Sequence, residues 1–515
     1  MKIQSYVFGE WVTGSGDGQE VFNAINGDSI SFVSSNGIDF KQALEYGRQK
    51  GVEGLRQLTF HQRADMLKAL AKHLTEHKEK LYEISAWTGA TRTDSWVDIE
   101  GGTGTLFAYS SLAKKEMPDN TILVEGDIEM LSKEGTFIGQ HILVSKPGVA
   151  VHINAYNFPC WGMLEKLAPS IIAGMPVIIK PATVSSYLAE AMVREIISSE
   201  ILPEGSIQLI CGGVGDLFDH LAEQDVVTFT GSASTGQKLK SHPEIIKNSI
   251  PFNMEADSLN CCILGETVGE DSPEFDLFIK EIVREMTMKA GQKCTAIRRV
   301  MVPQTKTEAV ISALKNRLGK TTIGDPAVEG VRMGALVGRD QVKDVWDNVN
   351  ALASKCELVY GGKDDFEILG GDTQIGAFFP TTLLYCDKPT NIDAPHSIEA
   401  FGPVSTVMPY SSLDDAMDIA RLGKGSLAGS IFTADDHEAR QLILGTAAYH
   451  GRMLVINESC AKESTGHGTA MARLVHGGPG RAGGGEELGG IRAIKHYMQR
   501  TALQGSPTTL ATITG

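Results

Sequence analysis

Between residues 148 and 252, short β-branched runs alternate with helical stretches, and no other feature restricts the fold as strongly. The runs are VAVHIN (149–154), PVIIK (176–180), SIQLIC (206–211) and VVTFT (226–230), with helices predicted near 163–173, 185–199 and 216–222. Strands separated by single helices of about 10–15 residues form a parallel sheet with crossover helices, so the chain is predicted to be α/β with a Rossmann-like domain. Ser185 or Ser186 is the expected N-cap of the second helix. Such sheets bind ligands beyond the C-terminal ends of their strands. The polar sequences lie at those positions: Asn157 after the first run, Lys180-Pro181-Ala182-Thr183 after the second, and the segment from Gly231 to Gly236 after the fourth.

The rest of the chain reads as follows. Residues 1–60 hold strand-like pieces and a helix beginning near Asp39. A helix over 60–87 carries Leu67, Leu70, Ala71 and Leu74 on one face, and another is predicted over 98–113. Alternation and turns between 118 and 146 predict a β-ribbon, whose open strand edges favour a homodimer or higher homo-oligomer. A helix over 273–289 leads into a second α/β unit. Near the end, HGGPGRAGGGEELGG (476–490) has eight glycines in fifteen residues, which reads as irregular structure, either a linker or a loop packed against a ligand.

The 515 residues suffice for two to four domains at about 150 residues each. A net charge of −16 without a basic stripe argues against nucleic acid or an anionic membrane as a general partner. The N-terminus MKIQSYVFGEWVTG lacks a signal-peptide core and no window is long and apolar enough to span a membrane, which points to the cytoplasm. Eight cysteines (160, 211, 261, 262, 294, 356, 386 and 460) show no zinc-type pairing, so free thiols and no metal site are expected. Adjacent Cys261 and Cys262, in LNCCILG, read as core thiols.

Five separated features suit one kind of chemistry. Cys294, in TMKAGQKCTAIRR (287–299), sits between a helix and a strand-like run, where nearby cations favour a nucleophilic thiolate. Glu255 follows an apolar strand, where burial raises a carboxyl toward a useful general base. Asn157 offers an amide to a developing oxyanion. Gly231 and Ser232 open a helix whose backbone amides suit a phosphate, and Glu399 can accept from a ribose. Singly, each has a plainer reading: Asn157 as a turn former, Lys180 as a solvated strand end, Glu255 as a surface carboxylate and Glu399 as a helix cap.

Together, NFP (157–159), KPA (180–182), FTGS (229–232), MEADS (254–258), GQKC (291–294) and EAFGPV (399–404) resemble the aldehyde dehydrogenase superfamily over nearly the whole chain. Longer segments, such as INAYNFPCWGMLEKLAP and VHGGPGRAGGGEELGG, resemble its branch that oxidises coenzyme A-linked semialdehydes in bacterial aromatic degradation. The ring-opening enzyme of phenylacetate breakdown, acting on 3-oxo-5,6-dehydrosuberyl-CoA semialdehyde, comes first. The benzoyl-CoA branch, acting on 3,4-dehydroadipyl-CoA semialdehyde, comes second; an acylating enzyme that passes the acyl group to free CoA is the other alternative.

The resemblance implies a Rossmann-like cofactor domain (1–121 and 147–254), an α/β catalytic domain (255–475), and a β-ribbon oligomerisation arm with a C-terminal tail (122–146 and 491–515). It implies Cys294 as nucleophile, Asn157 and the Cys294 N–H as oxyanion donors, and Glu255 as the water-activating base. Lys180 and Glu399 would contact the two riboses and Ser232 the phosphates, with Phe401 beside the nicotinamide. Many NAD-using members have a glutamate where this chain has Thr183. Loss of that charge favours NADP, with Lys180 as counter-ion and NAD as the second cofactor. Arg298, Arg299, Arg473 and Arg481 are candidates for the CoA phosphates. The bifunctional relatives continue into a hydratase domain, whereas this chain stops at Gly515, either as an isolated domain or as a protein without the second activity.

Overall fold

The alternation over 148–252 folds as the doubly wound sheet it predicts. In the computed structural model, which describes residues 2–363 and 365–514, strands Ala150–Ile153, Val177–Lys180, Ile207–Leu209, Val226–Thr230 and Phe252–Glu255 pair in parallel. Ser5–Val7 and Glu10–Val12 extend the sheet antiparallel beyond Ile207–Leu209. From Ala150–Ile153 the chain adds two strands on one side, then returns to add Val226–Thr230 and Phe252–Glu255 on the other. This reversal opens a crevice at the strand C-termini, where Asn157 and Gly231 lie.

A second seven-stranded sheet contains, in spatial order, Glu357–Tyr360, Thr382–Tyr385, Val404–Tyr410, Ile297–Pro303, Asn260–Leu264, Ser426–Phe432 and His450–Ile456. All pairs are parallel except the first. Cys261 and Cys262 are buried in its core, the plainer of their readings. A third sheet pairs Leu123–Met130, Ile138–Ser145 and Met498–Gly505 antiparallel, with Met498 opposite Ser145 and Gly505 opposite Ile138. Val124, Ile128, Met130, Leu131 and Phe137 on or beside this arm are all exposed. Among the described residues no helix is long and apolar enough to cross a membrane.

Caps and apolar faces explain where the helices begin. Helix Phe60–Glu76 starts at a Thr59–Gln62 capping box and buries Leu67, Leu70, Ala71 and Leu74 completely; each leucine is worth about 1.5–3 kcal/mol in burial. The predicted 60–87 helix breaks at His77, and Lys78–Ala86 forms a separate one. Helix Arg92–Glu116 begins earlier than predicted because Thr91 and Asp94 form a second capping box. Helix Pro159–Ala173 starts with proline at its first position, and Asp98 accepts from the Cys160 and Trp161 N–H groups at 3.0 and 2.7 Å.

One helix expectation fails and another holds in position only. Residues 216–222 make only the short 3-10 turn Leu217–His220. Ser185 occupies the N-cap position of Ser186–Ser198 but makes no side-chain cap bond, and the Ser186 hydroxyl instead donates to the Thr183 carbonyl at 2.8 Å. The glycine-rich tail is also more ordered than its composition implied. Val475–Gly477 and Glu486–Leu488 form a two-stranded antiparallel ribbon. At Gly483 (φ +106) a Cβ would lie 2.3 Å from the Met254 carbonyl oxygen, so the glycines let this ribbon press against the strand that ends at Glu255.

Candidate active site

Helix Pro273–Thr287, capped by Ser272, carries the chain to the Cys294 loop. Lys289, Ala290 and Gly291 then take φ values of 53°, 50° and 69°. For the two non-glycine residues this left-handed geometry costs about 1–2 kcal/mol each, and the surroundings hold it in place. Asp94 accepts from the Lys289 N–H at 2.7 Å, Lys289 Nζ donates to Thr88 Oγ1 at 2.7 Å, and Arg298 donates to the Gly291 carbonyl at 2.8 Å. A Cβ on Gly291 would sit 2.2 Å from the Gly402 carbonyl oxygen. The loop is therefore a strained turn, locked on both sides, that projects the Cys294 thiol.

The thiol faces Glu255 and His476. Sγ lies 3.9 Å from His476 Nε2, and that nitrogen lies 3.1 Å from Glu255 Oε2. The polar atoms of all three side chains fall within 4.8 Å of one another. The His476–Glu255 contact is at ion-pair distance, without the alignment of a linear hydrogen bond.

This arrangement corrects two electrostatic expectations. Burial does push the Glu255 carboxyl up, but the charge of the adjacent His476, with Lys166 and Cys294, outweighs it and brings the pKa to about 2. Glu255 is therefore ionised and not poised near neutrality. Cations do not favour the Cys294 thiolate either. Burial and the neighbouring Glu255 push the thiol well above its ordinary range, and Lys293 offsets only part of that. His476 moves upward: burial lowers its pKa, but Glu255 more than compensates.

Behind Glu255, Lys166 Nζ lies 3.1 Å from Glu487 and 3.5 Å from Glu165. Burial pushes the Glu487 carboxyl up while Lys166 holds it down, and Glu487 also accepts from Thr230 Oγ1 at 3.3 Å. Asn157 is buried, and its Nδ2 donates to the Gln292 carbonyl at 3.0 Å. A carboxamide NH2 has two hydrogens, so this bond fixes the amide plane and leaves one donor.

Two cavities meet at this cluster. One, of about 660 Å³, lies at the switch point and contains Lys180, Gly231, Ser232, Glu399 and Phe401 together with Asn157, Glu255 and Cys294. The other, of about 500 Å³, shares Asn157, Glu255 and Cys294 and runs past Trp161, Lys166 and Met471. Gly104 and Gly162 face it where a Cβ would meet nothing within 4 Å, which leaves the wall open.

In the first cavity, Glu399 Oε2 accepts from the Ser258 N–H at 3.2 Å while Oε1 is buried without a partner among the described residues. Burial raises its carboxyl to about 7 against the pull of Arg298. Phe401 packs edge-on to Tyr156 at 5.9 Å, and Lys180 is lowered by burial. Ser232 caps helix Ala233–Lys240, but Asp257 already accepts from the Ala233 N–H at 2.9 Å, so fewer amides face the crevice than predicted. Thr183 lines a neighbouring cavity with Asn36, Gly212 and Asp216, separate from the crevice that holds Lys180.

The arginine candidates separate. Arg298 and Arg299 are buried and donate to the carbonyls of Gly402, Gly291, Leu259 and Ile419, which turns them away from a phosphate. Arg473 pairs with Glu116 on the surface. Arg481 lines the crevice and donates to the His396 and Ser397 carbonyls. His476, Lys166 and Glu487 were not among the sequence candidates. Lys166 lies in an apolar helical run, and the other two lie in the tail that reads as irregular; their only sequence signal was a polar residue inside those segments.

The family described as "Aldehyde dehydrogenase family" matches residues 11–503. The chain is 43% identical over 480 residues to the 3,4-dehydroadipyl-CoA semialdehyde dehydrogenase of Aromatoleum evansii, covering 93% of each chain. It is 57% identical over 182 residues to Protein MaoC of Klebsiella aerogenes, an overlap of 35% of this chain and 52% of that one. Among solved structures, betaine aldehyde dehydrogenase from Staphylococcus aureus in complex with NAD+ superposes with a TM-score of 0.82 at 21% identity, covering 98% of this chain and 95% of that one. The full-length likeness at 43% identity is thus to a 3,4-dehydroadipyl-CoA semialdehyde dehydrogenase, the second of the two substrates that the motifs suggest. The fold is that of the aldehyde dehydrogenases, a Rossmann-like domain joined to an α/β catalytic domain.

Proposed function

Because the chain belongs to the aldehyde dehydrogenase family and is an NAD(P)-dependent aldehyde dehydrogenase, we propose that it oxidises a medium-chain, coenzyme A-linked semialdehyde to the carboxylate through a thioester on Cys294. The observation that carries this reading is the position of Cys294 at the junction of two cavities, with an ionised Glu255 within reach. The cavity past Gly104 and Gly162 suits the aldehyde end of a long substrate. The 43% identical relative favours 3,4-dehydroadipyl-CoA semialdehyde over the dehydrosuberyl compound.

In this mechanism the Cys294 sulfur adds to the aldehyde carbon, and the resulting oxyanion is held by the remaining Asn157 amide hydrogen and the Cys294 N–H. A nicotinamide dinucleotide supplies the hydride acceptor. Its fit is supported by the unpartnered Glu399 oxygen, the buried Lys180 amine and the volume at the switch point. Gly231 and Ser232 serve the phosphates, Glu399 the nicotinamide ribose and Phe401 the wall beside it. Glu255 then takes a proton from the water that hydrolyses the thioester. Product analysis should give the free carboxylate whether or not free CoA is added. Strict dependence on free CoA would reassign the enzyme to acyl transfer.

We assign 1–121 and 147–254 to cofactor binding, 255–475 to catalysis, and 122–146 with 491–515 to the arm and tail. The break between strands Phe252–Glu255 and Asn260–Leu264, which belong to different sheets, supports the main boundary. NADP is the preferred cofactor, because Thr183, three residues after Lys180, carries no charge to repel a 2′-phosphate. Initial rates should give a higher kcat/KM with NADP than with NAD, and Thr183→Glu should lower the NADP value about tenfold or more. Equal efficiency with both cofactors rejects this preference.

The exposed apolar arm supports a homodimer or higher oligomer. Light scattering should give at least twice the chain mass, and the double change Ile128→Lys with Leu131→Lys should shift it toward monomer. A wild-type monomer at micromolar concentration refutes the assembly.

A further inference from the structure

His476 is the group in the catalytic cluster to which no role has yet been attached, and its surroundings define one. It is 5% exposed and sits on strand Val475–Gly477, held by its pairing with Glu486–Leu488. The glycines of this ribbon permit an approach that side chains would block: a Cβ on Gly477 would lie 2.1 Å from the Gly485 carbonyl oxygen. The imidazole is thus delivered by a close-packed element into contact with Glu255 at 3.1 Å and Cys294 at 3.9 Å.

We propose that His476 is a positioning and charge-balancing residue of the reaction: an imidazolium that holds Glu255 beside the thiol and offsets its charge, so that Cys294 can ionise next to a carboxylate. This rests on the assignment of Cys294 as nucleophile.

The reason is electrostatic. A carboxylate within 4.8 Å of a thiol opposes formation of a second negative charge, and the opposition is strong away from water. The groups facing His476 are Glu255 from strand Phe252–Glu255, Cys294 from its loop, Glu165 and Lys166 from helix Pro159–Ala173, Glu487 from the paired strand and Arg452 from strand His450–Ile456. Lys166 is held by Glu487 and Glu165, and Arg452 donates to the His467 carbonyl. His476 touches both Glu255 and Cys294.

In the addition step the S–H bond of Cys294 breaks and its proton leaves to solvent through the open cavity, while Glu255 stays a carboxylate. The sulfur electron pair forms the C–S bond, and the carbonyl π pair moves to oxygen. His476 keeps its proton and faces the transient negative charge.

The test is alkylation of Cys294 by iodoacetamide in the full chain without cofactor, followed by peptide mass spectrometry across pH 5.5–9.5, for wild type, His476→Phe and His476→Gln. At pH 7 both variants should react at least tenfold more slowly, with the midpoint moved to higher pH. The wild-type profile should carry a second inflection from His476. A purely structural role would shift Tm without moving this profile, so thermal unfolding is measured alongside. The proposal is overturned if either folded variant keeps the wild-type profile, or if the wild type shows a single ordinary thiol step. If Cys294→Ala still oxidises aldehyde, the nucleophile assignment itself has failed. If that variant is inactive while the alkylation profiles coincide, only the role of His476 has failed.

Discussion

Cys294→Ala should lower kcat for semialdehyde oxidation by about 10⁴-fold or more, because it removes the only atom able to form the covalent intermediate. Of the eight cysteines, Cys294 alone lines both cavities among the described residues. Cys160, Cys211, Cys261 and Cys262 are buried in the cores, and no neighbouring thiol can substitute. Stability should change little, by about 1 kcal/mol or less, because the sulfur borders open space and its loop is held by Asp94, Thr88 and Arg298. The measurement is stopped-flow absorbance of the reduced cofactor, with thermal unfolding as the control. Turnover within tenfold of wild type in a folded variant removes the covalent mechanism.

The second large effect is expected at Glu255→Gln, and it should fall on one half of the reaction. Steady-state turnover should drop about 10²–10⁴-fold, while the first turnover still releases close to one equivalent of reduced cofactor per site. In that variant the imidazole loses its carboxylate partner and, at 3.9 Å from the sulfur, can take the thiol proton itself. The acyl-enzyme should accumulate and be visible by intact-mass spectrometry. Loss of the burst together with turnover, or unimpaired turnover, would assign water activation elsewhere.

The pH behaviour follows from the sign of the Glu255 shift. Its folded pKa, about 2, is below the ordinary carboxyl value of 4.5. The carboxylate therefore stabilises the fold above the unfolded value, and that contribution is lost as pH falls from 4.5 toward 2. Between pH 5 and 9 Glu255 remains ionised, so any acid limb in the wild-type rate over that range belongs to other members of the cluster. The arrangement accepts a weaker base in exchange for a permanently ionised one, and activation then depends on placing the water and on the neighbouring charges.

The same cluster shows where reading a sequence stops. The strand runs over 148–252 and the leucine face of Phe60–Glu76 were legible because neighbours along the chain set strand alternation and helical periodicity. Asn157, Lys180, Glu255, Cys294 and Glu399 were legible as candidates for a related reason. Each sits in a short motif at a strand end or loop, where local sequence dictates backbone geometry.

What escaped was brought in by tertiary packing. His476 is 182 residues from Cys294 in sequence and lies in a stretch whose glycines read as irregular structure, a linker or a loop, until a facing strand and the Met254 backbone order it. The direction of the Glu255 shift was misread for the same reason. Burial can be inferred from an apolar run, but a pKa also depends on charges across space, and His476 and Lys166 reach Glu255 from two other elements. Sequence alone determined the layered architecture and which side chains are candidates for the chemistry, because both are written in short-range pattern; only the folded chain decided their charge states and their partners, because electrostatic energy depends on distance in space, whatever the separation along the chain.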